Sequence, residues 1–283
     1  MPAFRRAANK GGKVMTVNDQ LVRAYLDSER MEKYRDEWLF HALETGKNVF
    51  EYPAQSAQMA KNVEMLWRAF EEAAHDFQPA NVAIWDALFP NWPSIPVHID
   101  LIVGFPKPYD AVTMKDAAGH THIVLDLIRW CDYGMPKDAE GVVRNLLAHE
   151  MTHAFIAARC PEADAAADGK DYRPKLDGLT FHEGFAHLIA YENRRIDQVN
   201  WDSDFWRRIE ETSRSKMRVA VAETDPEKQK KHLRNGFCGR YEEKYACMNG
   251  MLYLVKQWQK NGLDGLKASF VDYRGFAGKT IEM

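Results

Sequence analysis

No stretch of the 283 residues approaches the ~20 consecutive apolar residues that a membrane-spanning helix needs, so no membrane partner is expected. The start of the chain, Met1 to Val14, is basic and glycine-bearing and lacks the apolar core of a secretory signal. A cytoplasmic protein is the expectation; secretion stays open, because removal of a signal peptide leaves no trace. No basic run is interleaved with aromatics, and the net charge is −3, which argues against a nucleic-acid partner. The four cysteines, Cys131, Cys160, Cys238 and Cys247, lack zinc-knuckle spacing, and a chain of this size needs no disulfide staples. Free thiols are expected, with Cys238 and Cys247 the pair closest in sequence. No internal repeat or low-complexity tract is present.

What is present is enough chain for a sizeable core, in one large domain or two smaller ones. Residues 1–17 read as a flexible arm. Helical periodicity runs from Asn18 to Leu43, with Leu21, Val22, Tyr25, Leu26 and Trp38 among its apolar positions, and from Ala54 to Phe77, with Val63, Leu66, Trp67 and Phe70 on one stripe. Residues 18–95 thus form an N-terminal helical region, ended by a connection rich in Trp and Pro. The period then changes. Val97–Val103, Tyr109–Lys115 and Thr121–Leu127 read as strands, separated by Gly104 and by the Asp116–Gly119 turn. The remainder is helical, with spans near Asp202–Ala222, Pro226–Arg234 and Arg240–Lys260. The fold class is α+β, mostly helical. His98, His120 and His122 read as surface or packed histidines.

The chemistry is concentrated in Leu147-Ala148-His149-Glu150-Met151-Thr152-His153-Ala154. On a helix, residues four apart share a face, so His149 and His153 can hold one ion between their imidazoles, with Glu150 beside them. This is the His-Glu-x-x-His pattern of zinc proteases. The flanks, Val142, Val143, Leu146, Leu147, Phe155, Ala157 and Ala158, are apolar, which places ionisable groups in a largely buried helix. Such groups need a partner or a metal. Asp138 is the candidate N-cap, and Cys160-Pro161 ends the helix.

A catalytic zinc takes three protein ligands and one water. The third is sought in Thr180-Phe181-His182-Glu183-Gly184-Phe185-Ala186-His187. Glu183 is the choice. The competing reading is a capping box, with Thr180 as N-cap and Glu183 reaching back to it. Gly184 favours the ligand: a helical glycine costs roughly 1 kcal/mol against alanine, and close approach to another helix would explain it. His187, one turn on, is either a rival ligand or an outer support. Glu162–Gly178, between the two motifs, reads as a loop overhanging the site, acting as a lid or setting specificity.

His149-Glu150-x-x-His153 followed by Glu183-Gly184-Phe185-Ala186 resembles the gluzincin metallopeptidases. The match is to the small predicted zinc-dependent proteases and to the catalytic domain of the clan's aminopeptidases, and it covers Ile95 to the C-terminus. It implies a thermolysin-like zincin core over residues 96–283, with a small antiparallel-edged sheet before the motif helix; this core either stands apart from 18–95 or packs with it. It also implies Zn²⁺ as the cofactor. The edge strand of such a sheet pairs with an extended peptide or protein substrate, and His122–Asp126 is assigned that part. Near the end of the chain, Gly250 and the apolar helix after it resemble the clan's last active-site helix. There a Tyr-x-x-Gly supplies a hydroxyl to the oxyanion. Here the tyrosine position falls on Cys247, a departure, and Tyr245 is put forward instead, ahead of Tyr241 and Tyr253. A second departure is His187, which stands where the clan often has an aspartate.

The expected activity is peptide hydrolysis: a zinc-bound water, activated by Glu150, attacks the scissile carbonyl, and Glu150 then protonates the leaving amine. An endopeptidase is preferred, since no aminopeptidase signature is seen. The alternatives are a non-catalytic protein-binding module on a metallopeptidase fold and a zinc hydrolase of a non-peptide amide.

Overall fold

The computed structural model describes residues 5–8, 14–43, 46–107, 109–132 and 138–282. Its strands are β1 (Arg5–Ala8), β2 (Val14–Asn18), β3 (Val97–Ile102), β4 (Ala111–Lys115) and β5 (Thr121–Asp126). Its α-helices are α1 (Gln20–Leu26), α2 (Leu39–Ala42), α3 (Ala57–His75), α4 (Val82–Leu88), α5 (Leu127–Cys131), α6 (Ala139–Arg159), α7 (Pro161–Asp168), α8 (Tyr172–Ala190), α9 (Asp204–Ala222), α10 (Pro226–Asn235), α11 (Tyr245–Phe270) and α12 (Phe276–Lys279). The protein is α+β and mostly helical. None of the described helices is long and apolar enough to cross a membrane.

Two compact units divide the chain: Met1–Gln78 with Pro93–Met151, and Pro79–Trp92 with Thr152–Met283. One change of unit falls between Trp92 and Pro93, close to the boundary expected near residue 95, but the residues before Gln78 belong to the same unit as the strands. The first helical region shares a core with the strands because the chain begins in the sheet. β2 runs parallel to β3, with Met15 opposite Val97 and Val17 opposite Ile99, and β1 pairs antiparallel with β2. Part of the expected flexible arm is thus strand; residues 1–4 and 9–13 lie outside the described residues. The long first helix is also broken. α1 stops at Leu26, Ser28 takes a left-handed φ of 58°, and a 3-10 turn at Met31–Tyr34 precedes α2.

In the first unit the strand order is β1-β2-β3-β5-β4, with β3 and β5 parallel and β4 antiparallel to β5. The assignment of His122–Asp126 as the edge is corrected: β5 is paired on both sides, and the edges of the sheet are β1 and β4. The reason is burial. Ile123, Val124 and Leu125 are fully buried in succession, as in a strand covered on both faces, whereas β4 is partly exposed along its length. At the end of β5, Asp126 is wholly buried and accepts four backbone N–H groups. Gly104 and Phe105 donate to Oδ2, both at 2.7 Å; Ile128 and Arg129 donate to Oδ1, at 2.9 and 3.0 Å. Burial pushes its carboxyl up to about 6 against the pull of those donors. It ties the loop after β3 to the start of α5.

A polar ladder crosses the same sheet. Thr16, His98 and His122 lie in register on β2, β3 and β5. Thr16 Oγ1 is 2.8 Å from His98 Nδ1, and the rings of His98 and His122 stack with centroids 4.9 Å apart. His122 Nδ1 is 2.6 Å from Asp100 Oδ2, and Asn18 donates to the other oxygen of Asp100. His98 and His122 are packed, as expected. Burial opposes the charge on His122, but the Asp100 hydrogen bond and the Asp100 and Asp116 charges outweigh it and raise its pKa. The stabilisation from this pair is therefore complete below the ordinary histidine value of about 6.5 and is lost as pH rises through the raised one. Asp100→Asn is expected to cost about 2 kcal/mol at pH 6 and clearly less at pH 9. Urea denaturation at both pH values checks this; a pH-independent cost would refute it.

In the second unit α8 packs against α7, α11 and α12, and α11 against α4 and α9. Phe181, Phe185, Phe270 and Phe276 fill the space between them, with ring centroids 5.0 to 6.3 Å apart. α8 and α11 meet at Gly184 and Gly250. A Cβ on Gly184 would lie 2.9 Å from the Gly250 carbonyl carbon, and one on Gly250 would lie 2.6 Å from the Thr180 carbonyl oxygen. The helix contact expected from Gly184 is present. The expected loop at Glu162–Gly178 is not. Pro161 occupies the first turn of α7, where proline is favoured, and the Ala-rich run after it propagates the helix. Only Gly169 to Asp171 separate α7 from α8, so no lid is built there.

Candidate metal centre

Helix α6 is continuous from Ala139 to Arg159. Gly141 N donates to Asp138 Oδ1 at 2.8 Å, the cap expected at its start. Cys160 leaves helical geometry before Pro161, as residues preceding proline do. From Leu146 to Ala157 every residue is buried except His149 and His153. The two histidines of the motif are thus the only openings in an otherwise closed stretch, one turn apart. Glu150 is buried, 8% exposed, and accepts a 2.9 Å hydrogen bond from Thr113 Oγ1 on β4.

Helix α8 repeats the pattern. From Thr180 to Ala190 only Glu183 and His187 are partly open, again one turn apart. α8 begins at Tyr172, so Thr180 lies mid-helix and the capping-box reading of Glu183 is removed. Glu183 Oε1 is 3.5 Å from His153 Nε2. Glu183 Oε2 is 3.2 Å from His187 Nδ1 and 3.9 Å from the Cys247 thiol. Burial, then the Glu183 charge, raise the Cys247 pKa well above the ordinary value, so the thiol stays protonated and donates. Cys247 stands where the resembled helix has its tyrosine, and it faces the carboxylate.

Three contributors had no role in the sequence reading. His182 Nδ1 is 3.5 Å from His153 Nδ1, with the rings nearly parallel at 16°. Burial, then the neighbouring His153, push His182 down to about 4, so it is a neutral imidazole; its Nε2 is buried without a hydrogen-bond partner. The signal for it was its place beside Glu183 in a buried helix. Lys244 Nζ is 2.7 Å from His187 Nε2. Thr113 is the third; a lone threonine in a strand carries no pattern that sequence alone can single out.

Tyr245 is corrected. Its hydroxyl is 2.8 Å from His232 Nδ1, and its ring is buried with Leu176, Met217, Ala220, Ala246 and Ala277. The helical phase explains this: Tyr245 is two residues, about 200° of rotation, from Cys247, which takes the position facing Glu183. Tyr241 lies against Tyr191 and Trp206, and Tyr253 against Phe276. None of the four cysteines is in a disulfide.

Comparison of the chain with protein-family models, with curated proteins and with solved structures finds no match.

Proposed function

We propose that the chain is a zinc-dependent peptide hydrolase of the gluzincin type, with a thermolysin-like core, in which His149, His153 and Glu183 hold the ion and Glu150 moves the proton. One observation carries the reading. Two buried helical stretches are each opened at an i, i+4 pair, His149/His153 and Glu183/His187, and Glu183 Oε1 stands 3.5 Å from His153 Nε2. Two imidazole nitrogens and one carboxylate form the donor set of a catalytic rather than a structural zinc. When bound, zinc polarises a carbonyl and acidifies water.

The chain's own groups do the rest. Glu150 accepts the proton of the attacking water and delivers it to the leaving amine, and the Thr113 hydroxyl keeps its carboxylate in one orientation. Thr113 also places β4 beside Glu150. β4, not β5, is the edge on which an extended peptide adds as a further strand. Such pairing reads main chain over several residues, which favours an endopeptidase.

One observation favours a non-catalytic binding module instead: the Tyr245 hydroxyl is bonded to His232 and supplies nothing to an oxyanion. A hydrolase of a non-peptide amide uses the same attack chemistry. The test is metal analysis with a mixed-peptide digest. A single bound zinc is expected, with cleavage abolished by chelation and restored by zinc. Zinc without cleavage would move the reading to the binding module; absence of zinc would overturn it.

A further inference from the structure

Glu183 is held from behind by an arrangement that the His-Glu-x-x-His pattern does not require. His187 Nδ1 donates to the Glu183 carbonyl oxygen at 2.9 Å and lies 3.2 Å from its carboxylate Oε2. A ring nitrogen that donates carries the proton, so the other nitrogen of a neutral imidazole accepts. That nitrogen, Nε2, faces the Lys244 ammonium at 2.7 Å. Lys244 is itself located, at the N-cap of α11 with its ammonium 5.0 Å from the centroid of the Tyr241 ring. His187 therefore points its proton at Glu183 and its lone pair at a cation. A second cation at Nε2 would meet the ammonium already there.

We propose that Lys244 and His187 form an outer pair that positions Glu183, and that His187 is not a ligand. This rests on the reading of Glu183 as a ligand. The N–H beside Oε2 sets the orientation of the carboxylate, with Oε1 turned to the His153 side. It replaces the carboxylate that the resembled clan often carries one turn after its ligand glutamate. An aspartate here would add a second negative charge next to Glu183; the histidine–lysine pair supplies a donor and a positive charge instead. Outer partners of this kind change metal affinity by about 10–100-fold when removed.

The experiment uses the full chain, stripped of metal and titrated with Zn²⁺ against a chromophoric chelator, with Co²⁺ absorption as a second readout. The variants are His187→Leu, His187→Asn and Lys244→Met. His187→Leu and Lys244→Met are expected to bind zinc about 10–100-fold more weakly. His187→Asn, whose amide nitrogen stands near Nδ1, should stay within about 3-fold of the wild type, because the donor to Glu183 is kept. The cobalt-saturated spectra should coincide in all four proteins. Thermal melts of the metal-free proteins establish that each is folded; should His187→Leu fail, His187→Asn and Lys244→Met decide. Wild-type affinity in the Leu and Met variants would overturn the proposal and leave the metal reading intact. A cobalt spectrum altered in His187→Asn would overturn it by making His187 a ligand. A wild-type protein that binds no zinc would overturn both.

Discussion

Glu150→Gln is expected to keep its zinc and to cleave peptides about 10³-fold more slowly, the range that removal of a general base costs. The substitution preserves shape. An amide oxygen at the same place still accepts from Thr113, which now donates to Glu150 at 2.9 Å. What is lost is the ability to take a proton. Glu150 is not part of the proposed ligand set, and its buried position on α6 is 8% exposed, so packing changes little. Metal content and steady-state rates on one peptide separate the outcomes. Unchanged cleavage would remove Glu150 from the mechanism. Loss of zinc together with cleavage would make Glu150 part of the metal's support and leave the base unassigned.

Asp126→Ala has the largest expected effect on stability. Four backbone N–H groups end on this one carboxylate, which is itself wholly buried. Their acceptor would vanish with no water to replace it. Each buried polar group left unpaired costs about 1–3 kcal/mol, so a total near 4 kcal/mol is expected even after partial relaxation. That is a large share of the 5–15 kcal/mol that typically separates folded from unfolded chains. Urea denaturation at pH 7.5 should show a lower midpoint with an unchanged slope. A loss under about 1 kcal/mol would mean that the loop after β3 finds other acceptors.

The proposed site can be sought in sequence because its information is local. His149 and His153 are fixed relative to each other by one helix, and a four-residue spacing states that geometry outright. Gly184, the residue that singles out Glu183, does meet a neighbouring helix at Gly250, as its missing side chain suggests. What failed depended on tertiary partners. Ile123-Val124-Leu125 is a run with no alternation, the mark of a strand covered on both faces, but it was read as an edge because it precedes the motif helix. Glu162–Gly178 was read as a loop from its acidic residues and glycines, although four alanines and a proline at the first position favour helix. Tyr245 failed on phase: a displacement of two residues turns a side chain to the opposite side of α11, towards His232. Val14–Asn18 failed because a five-residue strand at a basic terminus has meaning only once β3 is beside it.

The Gly184–Gly250 contact bears on any attempt to move this site into another scaffold. Where two helices touch through main chain, their separation is a property of the backbone and no choice of side chains can adjust it. A graft of His149, Glu150, His153 and Glu183 onto a bundle of ordinary helix spacing would keep every named donor and still misplace the carboxylate, because α8 would sit farther from α11 and from Cys247 and Lys244. The transferable unit is the glycine pair together with the donors. For the same reason, random mutagenesis should find this crossing among the least tolerant places in the second unit.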